Sequence, residues 1–356
     1  MLTVQQLDSG RSNNFDLIRF IAATMVIFSH SYWVTGNQPN EPLGKLCGIV
    51  NFGSLGLKIF FTISGYLITK SIYRQPTLGS FVWARILRIF PGLFFTAIFC
   101  TFIIGPICTT LPLNKYFTDS TVYSFVLRMA TLHGNFYFLP GVFQSNPGST
   151  GVNIPLWTLP AELFMYFCVL LWGAGLLLWK KQFKHLTLVP LIIIVYVFCW
   201  GIPYAPQLMN YISSWGELFF LGMICYLFSN KIILSLPLFG AMMVLFLALF
   251  HYRFALIDSA FNIVLVYGLL IFSYHPKLQL KSFHKLGDFS YGLYIYAFPI
   301  QQLLALKFPV LKPVEHFFIS FLPALALAIL SWYFVEKPML ALKTIKLPGF
   351  SKYYQT

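Results

Sequence analysis

Two ionisable side chains lie inside the apolar run FDLIRFIAATMVIFSHSYWV at 15–34, and their spacing lets them act together. On a helix, Arg19 and His30 fall within about 20° of one face and about 16 Å apart along the axis. Histidine takes up and returns a proton near neutrality, so His30 can serve as a base toward a hydroxyl. Arg19 could anchor an anion below it or join it in a proton relay. A histidine bonded within a bundle and an arginine reaching the headgroups account for the same residues. Glu162, about two turns past Pro155 in NIPLWTLPAELFMYF, is the third candidate. A carboxylate in so apolar a setting needs a partner, which could be His30 or a cation such as Arg128 or Lys58. Arg85 and Arg88 in FVWARILRIFPG share a helix face and could grip a phosphate in bidentate fashion. Basic residues at a cytoplasmic helix end would give the same pattern.

The elements that must hold these residues are membrane helices. The chain has 356 residues, 58% of them hydrophobic and only 10% charged, far below the quarter expected of a soluble protein. Apolar runs of spanning length occur at about 15–34, 53–72, 89–108, 156–179, 186–204, 211–229, 236–252, 254–274, 289–308 and 316–335. The expectation is an all-α polytopic membrane protein with about ten transmembrane helices. It forms one domain over 1–356, with core 15–340 and short tails at 1–14 and 341–356. The first apolar run is too long and too charged for a cleavable signal, so it reads as a retained span.

An even number of spans puts both termini on one side. On that assignment the 24 Lys and Arg divide seventeen to seven in favour of the terminal side, making it cytoplasmic by the positive-inside rule. The formal charge of +14 is then mostly topology, and no nucleic-acid partner is expected.

Other segments read more simply. Thr62, Ser64, Gly65 and Thr69 are small residues of the kind that let membrane helices pack closely. The outer segment at about 109–155 ends in GVFQSNPGSTGVN, a turn-rich stretch that could approach a substrate or merely connect. Asp288 could cap the helix that follows it, and Pro338 should end the last span. Six cysteines without CxxC spacing suggest neither a disulfide framework nor a metal site.

Taken in order, these elements resemble the membrane-bound acyltransferase 3 family over about 15–340. The shared features are Arg19…His30, the GxxGxxxFFxxSGxLI stretch Gly53…Ile68, and Arg85, Arg88 and Pro91. Leu156-Trp157…Glu162 follows, then Leu286…Tyr294 and Glu336-Lys337-Pro338. The resemblance implies transfer of an acyl group, usually acetyl, from acyl-coenzyme A to hydroxyls of surface carbohydrates. The acceptor would be an O-antigen, capsule, exopolysaccharide or lipo-oligosaccharide, and the place a bacterial cytoplasmic (inner) membrane.

The resemblance casts His30, Arg19 and Glu162 as catalytic. It places Arg85 and Arg88, with Ser64 and Lys70, on the acetyl-CoA side, and Trp157 and Tyr291 on the acceptor side, with no metal. Many relatives carry an acidic residue at Lys58 and a histidine at Ala297, so roles tied to those positions do not carry over. No fused soluble esterase-like domain is expected. A transporter or flippase using Arg19 and His30 as a relay is the competing class.

Overall fold

The computed structural model describes residues 2–8, 13–75, 77–134, 136–178, 206–252, 257–278, 280 and 283–345. Its helices include α1 (Val4–Leu7), α2 (Phe15–Val34), α3 (Phe52–Arg74), α4 (Leu78–Phe99), α5 (Ser120–Thr131) and α6 (Thr158–Leu178). The second half supplies α7 (Pro206–Leu227), α8 (Leu236–His251), α9 (Ile257–Tyr274), α10 (Ser290–Lys307) and α11 (Pro313–Ser331). No β-strand occurs among the described residues; isolated bridges join Thr3 to Ile233 and Thr109 to Val142. The all-α expectation holds.

Among the described residues, six helical stretches are long and apolar enough to cross a membrane. They are Phe15–Val34, Phe52–Arg74, Leu78–Cys108, Ile154–Gly175, Ile257–Tyr274 and Pro313–Ala341. The expected span at 186–204 lies outside the described residues. The other expected spans are helical but shorter or more polar; α8, for example, has 16 residues, about 24 Å of rise against a core of about 30 Å.

Two boundaries differ from expectation. The third span was expected to begin near 89, but α4 begins at Leu78, where Thr77 caps it through the Ser80 amide at 3.0 Å. Arg85 and Arg88 thus lie inside the helix rather than in a loop. The last span does not stop at Pro338. A π-helical turn at Trp332–Glu336 widens the ladder, and the helix resumes over Lys337–Ala341 with the proline in its first turn, where a missing N–H costs nothing.

Small residues set the closest approaches. A Cβ on Gly56 of α3 would lie 2.6 Å from the Ala22 carbonyl oxygen of α2, and one on Gly65 would lie 1.9 Å from that of Phe219 in α7. Gly222 of α7 returns the second contact, facing the Thr62 carbonyl. Backbone-to-backbone packing of this kind is how membrane helices associate without a hydrophobic driving force between them. It locks α3, the GxxG-bearing helix, between α2 and α7.

The ends of α2 and α3 are tied to their surroundings. Asn14 donates to the carbonyls of Phe272 and Leu278 at 2.8 Å each and accepts from the Leu280 amide at 2.9 Å. Asn51 and Ser54 form a reciprocal cap at the start of α3. The described part of 109–155 is packed rather than loose: α5 contributes buried Val122, Phe125 and Met129 to a core shared with Leu93, Ala97 and Ile295.

Candidate functional site

Charge gathers where α2 begins, α4 passes and α10 begins. Arg19 of α2 pairs with Asp16 at 2.5 Å and with Asp288 at 3.1 Å. Arg88 of α4 pairs with the same Asp288 at 2.5 Å and with Glu336 at 3.1 Å. Ser290 donates to Asp288 at 2.5 Å and Ser331 donates to Glu336 at 3.1 Å, so each carboxylate also has a hydroxyl partner. The Arg88 guanidinium lies over the rings of Tyr291 and Trp332 at 5.4 and 6.0 Å. Asp288 is therefore not a helix cap; its oxygens belong to two arginines and a serine. Gly287 beside it has φ +113°, and a Cβ there would meet the Trp332 indole nitrogen at 2.4 Å.

Above this network lies a cavity of about 130 Å³. Its polar wall is made by Arg19, Ser64, Arg85, Arg88, Glu162 and Tyr166, and its apolar wall includes Leu57, Phe60 and Tyr294. Glu162 accepts from Ser64 at 3.1 Å and from the Tyr166 hydroxyl. It bonds neither His30, Arg128 nor Lys58; Lys58 donates instead to Asn262 at 2.7 Å, and Asn262 to Glu217 at 3.2 Å. Tyr291, also on the wall, donates to the Ile89 carbonyl at 2.6 Å, which fixes α10 against α4.

His30 stands outside the cavity wall. Its ring meets Phe298 edge-on at 5.3 Å and Trp33 at 5.9 Å. Gly53 of α3 packs at the level of Ser29, and Leu57, the cavity residue nearest that end of α3, is four residues further in, about 6 Å along the bundle. On α10, Phe298 follows Tyr294 by one turn. The cavity thus ends about one turn from the imidazole, and Phe60 and Tyr294, with ring centroids 6.3 Å apart, are among the residues that line it.

A fixed roof covers the His30 end. Gly148 sits on the end of α2, where a Cβ would lie 1.9 Å from the Trp33 carbonyl oxygen. Gln302 of α10 donates to the carbonyls of Ser149 and Gly151 at 2.8 and 2.7 Å and accepts from Asn146 at 3.1 Å. Asn153 donates to the Ile295 carbonyl at 2.8 Å. One residue earlier on α10, Gln301 donates to the Ile27 carbonyl and the Ser31 hydroxyl, both at 2.8 Å, in the turn of α2 that carries His30. His316 of α11 bonds the Gln301 carbonyl through Nε2 at 2.9 Å.

Of the residues expected from sequence, then, the cavity brings together Arg19, Ser64, Arg85, Arg88, Glu162 and Tyr291. Lys70 is elsewhere: buried at the far end of α3, it pairs with Asp8, which also accepts from Tyr66 and from Tyr274, the latter at 2.7 Å. Trp157 lies half-buried in the short turn before α6 and does not line the cavity. Sequence reasoning missed Tyr166, Tyr294, Gln301 and Gln302. Tyr166 lies one helical turn past Glu162, an i,i+4 spacing that could have flagged it.

A family model described as an acyltransferase domain, acyltransferase 3, matches residues 12–333. An O-acetyl transferase of Shigella phage Sf6 is 27% identical over 345 residues, 95% of this chain and 98% of that one. Nodulation protein 10 of Rhizobium leguminosarum bv. viciae is 27% identical over 367 residues, 94% of this chain and 95% of that one. No solved structure matches.

Proposed function

Since the chain belongs to the acyltransferase 3 family, we propose that it is an integral-membrane O-acyltransferase. It moves an acyl group, acetyl by preference, from cytoplasmic acyl-CoA to a hydroxyl of a cell-surface or secreted carbohydrate. The name of the phage relative, an O-acetyl transferase, supports the reaction type. The observation that carries the reading is the cavity, which has on one wall inside the bundle a guanidinium with no ion pair among the described residues (Arg85), a hydrogen-bonded carboxylate (Glu162) and Arg19. On this reading the arginine end is cytoplasmic, in line with the basic excess of the terminal segments.

The thioester enters from the arginine end with its phosphates held by cations there, and its acyl carbon reaches the top of the cavity. The hydroxyl arrives from the roofed end. His30 takes the hydroxyl proton as the oxygen attacks the acyl carbon; the C–S bond breaks, and the imidazolium returns the proton to the departing sulfur. Products are an O-acyl ester and the free thiol. Contact between the two reactants requires the acyl group to cover the remaining turn between the cavity, lined there by Phe60 and Tyr294, and His30. Glu162, held by Ser64 and Tyr166, positions what lies in the cavity rather than the imidazole. A relay reading finds no hydrogen-bonded chain between Arg19 and His30 among the described residues.

The test is transfer from radiolabelled acetyl-CoA by the purified protein to glycan extracted from its host. His30→Ala should lower the rate by about 10²–10⁴-fold, the usual weight of general-base assistance, with expression unchanged. A variant that transfers at close to the wild-type rate would remove His30 from the mechanism, and no transfer by the wild type from any acyl-CoA would remove the donor.

A further inference from the structure

Arg85 and Arg88 share a face of α4, yet the protein treats them differently. Arg88 has its charge met twice, by Asp288 and by Glu336. Arg85 has no ion pair among the described residues, and its Nε is buried without a hydrogen-bond partner. Glu162 is within electrostatic reach of Arg85 but is engaged by Ser64 and Tyr166 instead. A second cation is brought to the same place by the end of the described chain. The helical turn Leu342–Thr344 is pinned beside the start of α4 by a hydrogen bond from the Trp83 indole to the Leu342 carbonyl at 3.2 Å. Lys343 in that turn is half-buried and has no ion pair among the described residues. Lys337, six residues back, lies over the Tyr333 ring at 5.4 Å, and Glu336 is committed to Arg88 and Ser331.

We infer that Arg85 and Lys343, from opposite ends of the sequence, form the cradle for a phosphate or diphosphate group of the acyl donor, while Arg88 is the strut that holds their scaffold together. The inference rests on the donor being a phosphate-bearing acyl thioester, as proposed above. Two cations held within reach of each other, neither in an ion pair among the described residues, repel; a bound dianion relieves that repulsion and so gains from it. The Lys343 amine registers the strain. Burial, then the positive charges of Arg85 and Arg88, lower it to about 8, with Asp288 opposing. Arg88 with both carboxylates in place has no free charge to offer a third anion.

The measurement is binding of coenzyme A to the purified full-length protein, as a function of pH, by calorimetry. Wild-type affinity should be flat below about pH 8 and fall above it, approaching tenfold per pH unit, as the amine loses its proton. Lys343→Arg, whose charge persists, should bind at pH 7 like the wild type and show no fall. Lys343→Met should bind about tenfold or more weakly at pH 7, the weight of a charge-assisted hydrogen bond, and also show no fall. Arg85→Met should weaken binding but keep the fall, with its midpoint moved up because a neighbouring cation is gone. Wild-type affinity and pH dependence retained in Lys343→Met would overturn the inference and leave the donor intact. Failure of the wild type to bind coenzyme A at any pH would overturn both. A merely structural lysine would change melting temperature and leave the pH profile of binding alone, which also counts against it.

Discussion

The two ends of the bundle are held by different chemistry. At the arginine end, every ion pair recorded among the described residues is found: Arg19 and Arg88 with Asp16, Asp288 and Glu336, and Lys70 with Asp8. At the histidine end amides do most of the fastening: Gln301, Gln302, Asn146 and Asn153 tie helices to one another and to the roof. Even the carboxylate there, Glu41, is spent on the backbone amides of Gly44 and Phe52 at 2.6 and 2.9 Å. On the proposed reading, the difference separates two tasks. Where anions are to be received, cations are fixed in place by carboxylates, and selected ones are left over. Where a proton would be exchanged, no ionised side chain among the described residues bonds the imidazole, and no carboxylate among them claims its N–H.

The contrast breaks most readily at Arg88. Arg88→Ala leaves Glu336, 1% exposed, without its cation and leaves Asp288 to Arg19 alone, and should cost about 3–5 kcal/mol, the usual penalty for breaking a buried pair from one side. Melting temperature in detergent reads it, and a loss under about 1 kcal/mol would show that Arg88 is not a strut. At the other end, Gln302→Leu removes the amide that holds Ser149, Gly151 and Asn146 and should cost about 1–3 kcal/mol, with protease cleavage appearing within 144–153. An unchanged cleavage pattern would mean the roof is held by other contacts.

The smallest effect sharpens the contrast by pH. Burial alone would raise the Asp288 carboxyl, but Arg19 and Arg88, with help from Ser290, hold it down to about 2. Its contribution is complete above the unfolded range near ~4 and is lost as pH falls through about 2. Acid should therefore loosen the arginine end, with a melting temperature that drops between about pH 4 and 2 in the wild type and more gently in Asp288→Asn. The amides at the histidine end contribute nothing to that slope. Equal slopes would place the acid-sensitive contact elsewhere.

What could be read from the sequence follows the reach of each signal. Hydropathy located α2 at the limits the fold has, Phe15 to Val34, because burial in lipid is a local property of a twenty-residue window. It missed the first turns of α4 because Arg85 and Arg88 look like loop residues until their surroundings are known. Those surroundings lie far off: Asp288 and Glu336 are 200 and 248 positions from Arg88, and no period in the sequence encodes such a pairing. The same distance hid the role of Asp288, which looks like a cap to anything that reads only its neighbours. Family order brought Arg19, Ser64, Arg85 and Glu162 to one wall, but the carboxylate's partners were not legible. Whether Glu162 faces His30 or Tyr166 depends on how far α6 rises beside α2, and that is set by packing.

The opening residues carry a consequence for biogenesis. Val4 donates its amide to the Ile232 carbonyl at 3.0 Å, and Asp8 receives Lys70 and the hydroxyl of Tyr274. This segment, made ahead of the helices it binds, thus finds its seat only after most of the chain has followed. An epitope placed there would stay reachable by antibody while synthesis is under way and become shielded on completion, so its accessibility would time the final closure of the protein.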